Sequence, residues 1–236
     1  MKTLVLYVFH EYNKRVNYFI NNALFRDEQV DFIFICNNKE INFVVPEYVK
    51  VIKRDNIGYD FGGWSDALLT NDLYKSYDNF IFANSSIIGP FVKPDYKGKW
   101  TDLYLDRLTN KIKLFGSTIN TCTKPLLLSH VQSYIFAMDL NTLDFLIDKK
   151  IFTMNEYCKT IEDAINKKEI LMSRYIIENE WNIGCFHKYY DNVDFTFNTK
   201  KPGEYKLPFL DDIMYPKYKD KLWIKDGLVF IKGNRM

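Results

Sequence analysis

The chain has 236 residues, 47% of them hydrophobic and 26% charged, with 32 basic side chains against 30 acidic ones. That length suits one large α/β domain with a sizeable core, and the near balance of charge excludes the broad basic field that nucleic-acid binding needs. Aromatic residues reach 17%, which fits a ring-rich core and equally fits rings that stack on sugars or bases.

Leu4–Phe9 is a continuous apolar run, as for a strand buried on both faces. It is too short to cross a membrane and has no small-residue cleavage site, and no later run approaches 18 apolar residues. Residues 13–24 carry apolar side chains at 16, 19, 20, 23 and 24, the spacing of a helix. Val30–Cys36 and Val49–Ile52 read as further strands, so the chain opens strand, helix, strand, strand. A helix is predicted over Trp64–Leu73, with Ser65 and Asp66 in its first turn, then a strand over Asn79–Ala83. A helix over Leu103–Leu108, strands over Ile112–Ser117 and Val131–Met138, and helices over Leu140–Asp148, Thr160–Ile165 and Glu169–Asn179 follow. Residues 186–236 read as a loop-rich tail with one strand near Leu228–Ile231. The order of elements predicts an α/β fold. Cys36, Cys122, Cys158 and Cys185 form no C-x-x-C pair and are too widely spaced for a zinc ribbon or a disulfide framework. They read as reduced, mostly buried thiols of a cytoplasmic protein.

In open α/β sheets ligands bind beyond the carboxyl ends of the strands. The residues there are His10-Glu11, Asn37-Asn38, Arg54–Asp60, Asn84-Ser85-Ser86 and Ser117-Thr118. Any one set is what an ordinary polar strand end would give, but five together outline a site for a ligand with phosphates and hydroxyls. The densest part runs from Asn56 to Trp64 and holds Gly58, Tyr59, Asp60, Gly62 and Gly63. Glycines allow close backbone approach or a positive φ, and Arg54 is a cation suited to phosphate. The dinucleotide pattern G-x-G-x-x-G and the P-loop are both absent.

These residues carry a resemblance. RDNIGYDFGGW over Arg54–Trp64, YDNFIFANSSIIGPF over Tyr77–Phe91 and HVQSYIF over His130–Phe136, with a weaker block over Glu169–Ser173, resemble the rhamnan synthesis F family of glycosyltransferases and related sugar transferases of large algal viruses. The likeness covers roughly residues 3–185. It implies a GT-A-like fold, a mixed central β-sheet flanked by α-helices in a single domain. It also implies a nucleotide-sugar donor, UDP- or dTDP-linked, a sugar such as rhamnose or glucose, and a glycan or glycoprotein acceptor. A divalent ion, Mn²⁺ or Mg²⁺, would offset the charge growing on the departing diphosphate.

Carried onto this sequence, the resemblance makes His10, Asn37, Arg54, Asn56, Gly58, Tyr59, Asp60, Asn84, Ser85 and Ser86 donor-binding candidates. Glu169, Gln132 and His130 become catalytic candidates, and Asp60, Asp78, Ser86 and His187 metal candidates. Each has a plain structural alternative: Glu169 complements a helix dipole, His10 caps a strand end, and His130 is a hydrogen-bonded core residue. Ser85 stands where many family members carry an acid, which weakens metal ligation at that position. That departure also keeps open a non-catalytic nucleotide-sugar or glycan-binding domain derived from a transferase. A nucleotidyltransferase is disfavoured, because no Gly-rich, Lys-containing loop follows the first strand. Relatives of this kind often carry further domains, so the chain is read as a module that can belong to a longer polypeptide, with no membrane span and no nucleic-acid partner.

Overall fold

The computed structural model describes residues 1–121, 129–196, 207, 209–219, 221–223 and 225–236. Cys122 lies outside them, and the other three cysteines are buried and free, as expected.

A seven-stranded mixed sheet forms the centre. Its strands are β1 (Thr3–Phe9), β2 (Val30–Cys36), β3 (Val49–Lys53), β4 (Asn79–Asn84), β6 (Ile112–Gly116), β9 (Ile135–Asp139) and β10 (Asn182–Cys185). They lie in the order β10-β6-β9-β4-β1-β2-β3. β1 runs parallel to β2 and β4, β2 parallel to β3, and β6 parallel to β10, while β9 alone runs antiparallel to its neighbours. The carboxyl ends of the other six therefore open on one edge. This is the mixed, helix-flanked sheet of a single domain that the resemblance implies.

The apolar run of β1 is continuous because side chains alternate between two cores. Leu4, Leu6 and Val8 face a cluster with Trp64 and Leu68 of α2 (Tyr59–Leu69) and Leu143 of α4 (Leu140–Asp148). Val5, Tyr7 and Phe9 face another with Phe19 of α1 (Lys14–Asn22) and Trp100 and Tyr104 of α3 (Trp100–Leu105). The high ring content is mostly spent there: Phe82, Phe136 and Phe152 stack in one core, and Tyr7 stacks on Phe19 in the other.

Several boundaries differ from the sequence reading. The second helix starts at Tyr59, five residues earlier than predicted, and breaks at Asn71 and Asp72, whose φ values are 56° and 53°. The predicted strand over Val131–Met138 divides into β8 (His130–Val131), which pairs with β7 (Ile119–Asn120), and β9, because Gln132–Tyr134 turn toward the site. The helix predicted at Leu103–Leu108 sits three residues earlier. Glu169 does not begin a helix. It lies in a π-helical turn, Ile165–Ile170, between α5 (Ile161–Ala164) and α6 (Leu171–Glu178), so the dipole argument for it fails. The strand predicted near the end of the C-terminal tail, at Leu228–Ile231, is present one residue later. β11 (Val229–Lys232) pairs antiparallel with β5 (Ile87–Phe91), and this two-stranded unit covers the α1 face.

Candidate active site

All five polar sets lie on the edge to which the carboxyl ends point; two networks organise that edge, and Ser117 and Thr118 bond separately to Tyr104, Gln132 and Tyr134. The first is centred on Arg54, which is 9% exposed. Its guanidinium donates to Asp66 Oδ2 at 2.7 Å, to Asn37 Oδ1 at 2.8 Å and to the carbonyl of Ile57 at 2.7 Å. Asn37 in turn donates to Asn56 Oδ1 and to the carbonyl of Tyr59. Tyr157 donates to the other oxygen of Asp66 at 2.5 Å, which, after burial, is what raises the phenol to about 12. Arg54, Asn37 and Asn56 thus pin the loop into α2 rather than reach outward. His10 Nδ1 pairs with the Asn37 carbonyl at 2.9 Å while its ring is exposed.

The glycines serve this loop too. Gly58 has φ +76°, and a Cβ on it would meet the Tyr157 ring. A Cβ on Gly62 would lie 2.1 Å from the carbonyl oxygen of Ile57. The turn and its helix therefore require them for packing, whatever binds outside. Beyond the turn lies an open cleft of ≈ 750 Å³ between Asn56–Tyr59 and Asn155–Lys159.

The second network faces the strand ends of β1 and β4. Asn84 donates to Asp60 Oδ2 at 2.9 Å and accepts from the Ser86 amide at 3.0 Å and hydroxyl at 2.5 Å. Burial raises the Asp60 carboxyl to about 6; Asn84 opposes the shift and the negative charge of Glu169 adds to it. Glu169 accepts from Ser133 at 2.6 Å and lies 3.3 Å from His130 Nε2. Burial pushes its carboxyl up, but His130, Ser133 and Lys232 together outweigh that and hold it below the ordinary range. Its side chain keeps 18% exposure, so one face stays open to a ligand. Two carboxylates in one site with their ionisation pushed in opposite directions is an arrangement suited to acid–base work.

Gln132 is buried and consumed: it accepts from Thr118 at 2.6 Å and donates to Asp212 at 3.1 Å. Asp212 also takes Arg235 at 2.6 Å. The structure does not bring Asp78 or His187 to this group. Asp78 is exposed at the amino end of β4, accepting from the Lys2 amide, and so lies the length of the strand away from Asp60. His187 is buried beside the rings of Tyr189, Tyr190 and Phe209, and none of its contacts is with Asp60, Asn84 or Glu169.

The expected divalent ion fits these residues poorly. Among the described residues no three His, Cys, Asp or Glu side chains converge on one point. Ser85 offers a neutral hydroxyl, Ser86 is bonded to Asn84, and Asp60 brings a single carboxylate. Hard cations prefer several carboxylate or carbonyl oxygens.

Two cations here escaped the sequence reading. Arg15 of α1 donates to the Ser85 carbonyl at 2.8 Å, and Lys232 ends β11 opposite Ile87. Each reaches the site from a distant part of the chain, and neither sits in a motif. A Lys at the end of a predicted C-terminal strand was the one available signal.

The sequence profile of the rhamnan synthesis protein F family matches residues 32–230. Among curated proteins, two sequences named virulence protein VirA, from Vibrio anguillarum (strain ATCC 68554 / 775) and Vibrio anguillarum, are each 26% identical over 137 residues, 57% of this chain. The chain spans 40% of the length of those relatives. Among solved structures, a cytidylyltransferase from Leptospira borgpetersenii serovar Hardjo-bovis (strain JB197) aligns over 97% of this chain and 91% of its own, at 12% identity and a TM-score of 0.41. A197 from STIV aligns over 61% and 68%, at 10% identity and a TM-score of 0.32. Likenesses this distant carry no functional argument. The profile match, which covers most of the chain, makes this chain a member of the rhamnan synthesis protein F family.

Proposed function

We propose that this chain is a glycosyltransferase that moves a hexosyl unit from a UDP- or dTDP-linked donor to a glycan acceptor. Family membership supports a glycosyltransferase-type enzyme. The observation that carries the finer reading is the convergence of Asp60, Asn84, Ser86, Glu169, His130 and Ser133 on one sheet edge, with Asp60 following directly on Tyr59 of the open cleft. In this reading the donor's diphosphate lies over Ser85 and Ser86. Glu169, held ionised and oriented through both oxygens, takes the proton of the acceptor hydroxyl as that oxygen bonds to the anomeric carbon. The bond from the anomeric carbon to the diphosphate breaks, and its electron pair leaves with the nucleotide. Gln132 and Arg54 act as positioning residues, since their polar groups are already taken.

The test is release of nucleoside diphosphate from a panel of UDP- and dTDP-sugars, with and without oligosaccharide acceptors, and with product anomers read by NMR. Acceptor-stimulated release with inversion at the anomeric carbon is the expected result. Retention would remove Glu169 as the base. Tight donor binding with no release above background would favour the non-catalytic binding domain, for which Ser85 in place of an acid is the motivation.

A further inference from the structure

We propose that Lys232, delivered by the C-terminal strand, is the cation that meets the donor's diphosphate, in the role that the family resemblance gives to a divalent ion. The inference rests on the donor reading above.

Position comes first. β11 runs antiparallel to β5 with Lys232 opposite Ile87, and the next amide, Gly233, donates to the Ser86 carbonyl at 2.7 Å. A Cβ on Gly233 would sit 3.0 Å from Arg15 Cδ and from Ile88 Cγ2, so the strand end is seated tightly against both. Lys232 is thereby fixed beside the two serines, in the turn that follows β4.

Charge comes second. The carboxylates around Lys232 each have a nearer partner: Asp212 has Arg235 at 2.6 Å, Glu169 has Ser133 and His130, and Asp60 has Asn84. Among the described residues the Lys232 ammonium makes no hydrogen bond and no ion pair. It lies over the ring of Tyr134, 5.9 Å from the centroid. Burial depresses its ionisation, while Glu169, Asp212 and Asp60 act to keep it charged. A desolvated ammonium with no contact partner is costly, and direct bonds to an anion would relieve that cost.

Donor chemistry comes third. A serine at position 85 can donate to a phosphate oxygen, which a carboxylate cannot do. Its hydroxyl has no partner among the described residues, and its carbonyl is held by Arg15. Serines flanked by Lys232 and Arg15 make a place for an anion. A fixed cation there also stabilises the charge that grows on the leaving diphosphate.

The experiment is titration calorimetry with UDP, dTDP, inorganic pyrophosphate and uridine, in EDTA and again with Mn²⁺, on the wild type, Lys232→Met, Lys232→Gln and Lys232→Arg. The wild type should bind UDP or dTDP, and pyrophosphate, in EDTA. Lys232→Met and Lys232→Gln should weaken both by roughly 10- to 100-fold, the size of a lost charged hydrogen bond, and Lys232→Arg should keep most of the affinity. Uridine binding should not distinguish the variants. Melting curves identify any variant that fails to fold, and the remaining neutral variant then decides. Equal affinity of the folded neutral variants and the wild type in EDTA would overturn the proposal and leave the donor reading standing. So would wild-type binding that vanishes in EDTA and returns with Mn²⁺. A wild type that binds no nucleoside diphosphate in either buffer would overturn the donor reading, and this one with it.

Discussion

Two polar networks share one edge of the sheet, and they differ in how completely they are satisfied. Around Arg54 each guanidinium nitrogen already donates to the protein: to Asp66, to Asn37 and to the Ile57 carbonyl. Around Asp60 and Glu169 the ionisation of both carboxylates is displaced, and the Lys232 ammonium has no hydrogen bond or ion pair among the described residues. Arg54 and Asn56 of the first network and Asp60, Asn84, Ser86 and Glu169 of the second come from the same set of sequence blocks, so motif membership does not separate scaffold from chemistry. Saturation does. A closed set of hydrogen bonds fixes a loop, whereas displaced charge marks where a ligand would complete the set.

The largest effect should come from Glu169→Gln. Turnover should fall by about 10²- to 10⁴-fold, as for loss of a general base, with little change in melting temperature. A variant whose activity simply tracks its folded fraction would return Glu169 to a structural role. Arg54→Leu should show the opposite pattern. Removing the cation strands Asp66 and frees the α2 loop, which should cost about 3–5 kcal/mol in urea unfolding. Donor affinity of the folded fraction should fall less than stability does, because Arg54 positions the loop and does not touch the donor. Full stability with lost donor binding would place Arg54 on the ligand instead.

Asp60→Asn sharpens the second network through pH. Its folded carboxyl titrates at about 6, above the ordinary 3.8. Well below 3.8 the acid is neutral folded or unfolded, and between 3.8 and about 6 the unfolded form ionises while the folded form resists. As pH rises through 6 the folded form must charge in a desolvated place, so the wild type loses stability across that window. The Asn variant should match the wild type at pH 3 and exceed it by about 2–3 kcal/mol at pH 8. A gap that is constant with pH would contradict the burial argument. The smallest effect belongs to Asp78→Asn. That residue is exposed at the far edge, so its stability change should stay within about 0.5 kcal/mol and turnover should be unaffected. A large loss of turnover there would move the site.

Much of this was legible before the structure. Alternating burial on a twisted sheet gives long apolar runs, and those located β1, β2, β4, β6 and the shared edge. Long-range pairing was not legible. β5 reads as a Gly-Pro break, and only its partner β11 makes it a strand. The π-helical turn that aims Glu169 at His130 and Ser133 leaves no periodic signature, so Glu169 was placed at a helix start that does not exist. Arg54 was read as a donor-binding residue, but its protein partners come from the residue after β2, from α2 and from the loop between β3 and α2, and no local pattern shows that they occupy all three of its nitrogens. Lys232 lies far along the chain from every motif, and its place beside Ser86 follows only from strand pairing.

A second cleft, of ≈ 560 Å³, sits at the opposite edge near Thr3, Asp78, Asn79 and Asp139, and it supplies the rival location. Backbone amide NMR with UDP or dTDP added decides between the two edges. Shifts concentrated at Gly58, Ser85, Ser86 and Gly233, with Thr3, Asp78, Asn79 and Asp139 unmoved, are what this account predicts. Shifts confined to the Asp78 edge, or none at saturating nucleotide, would contradict it.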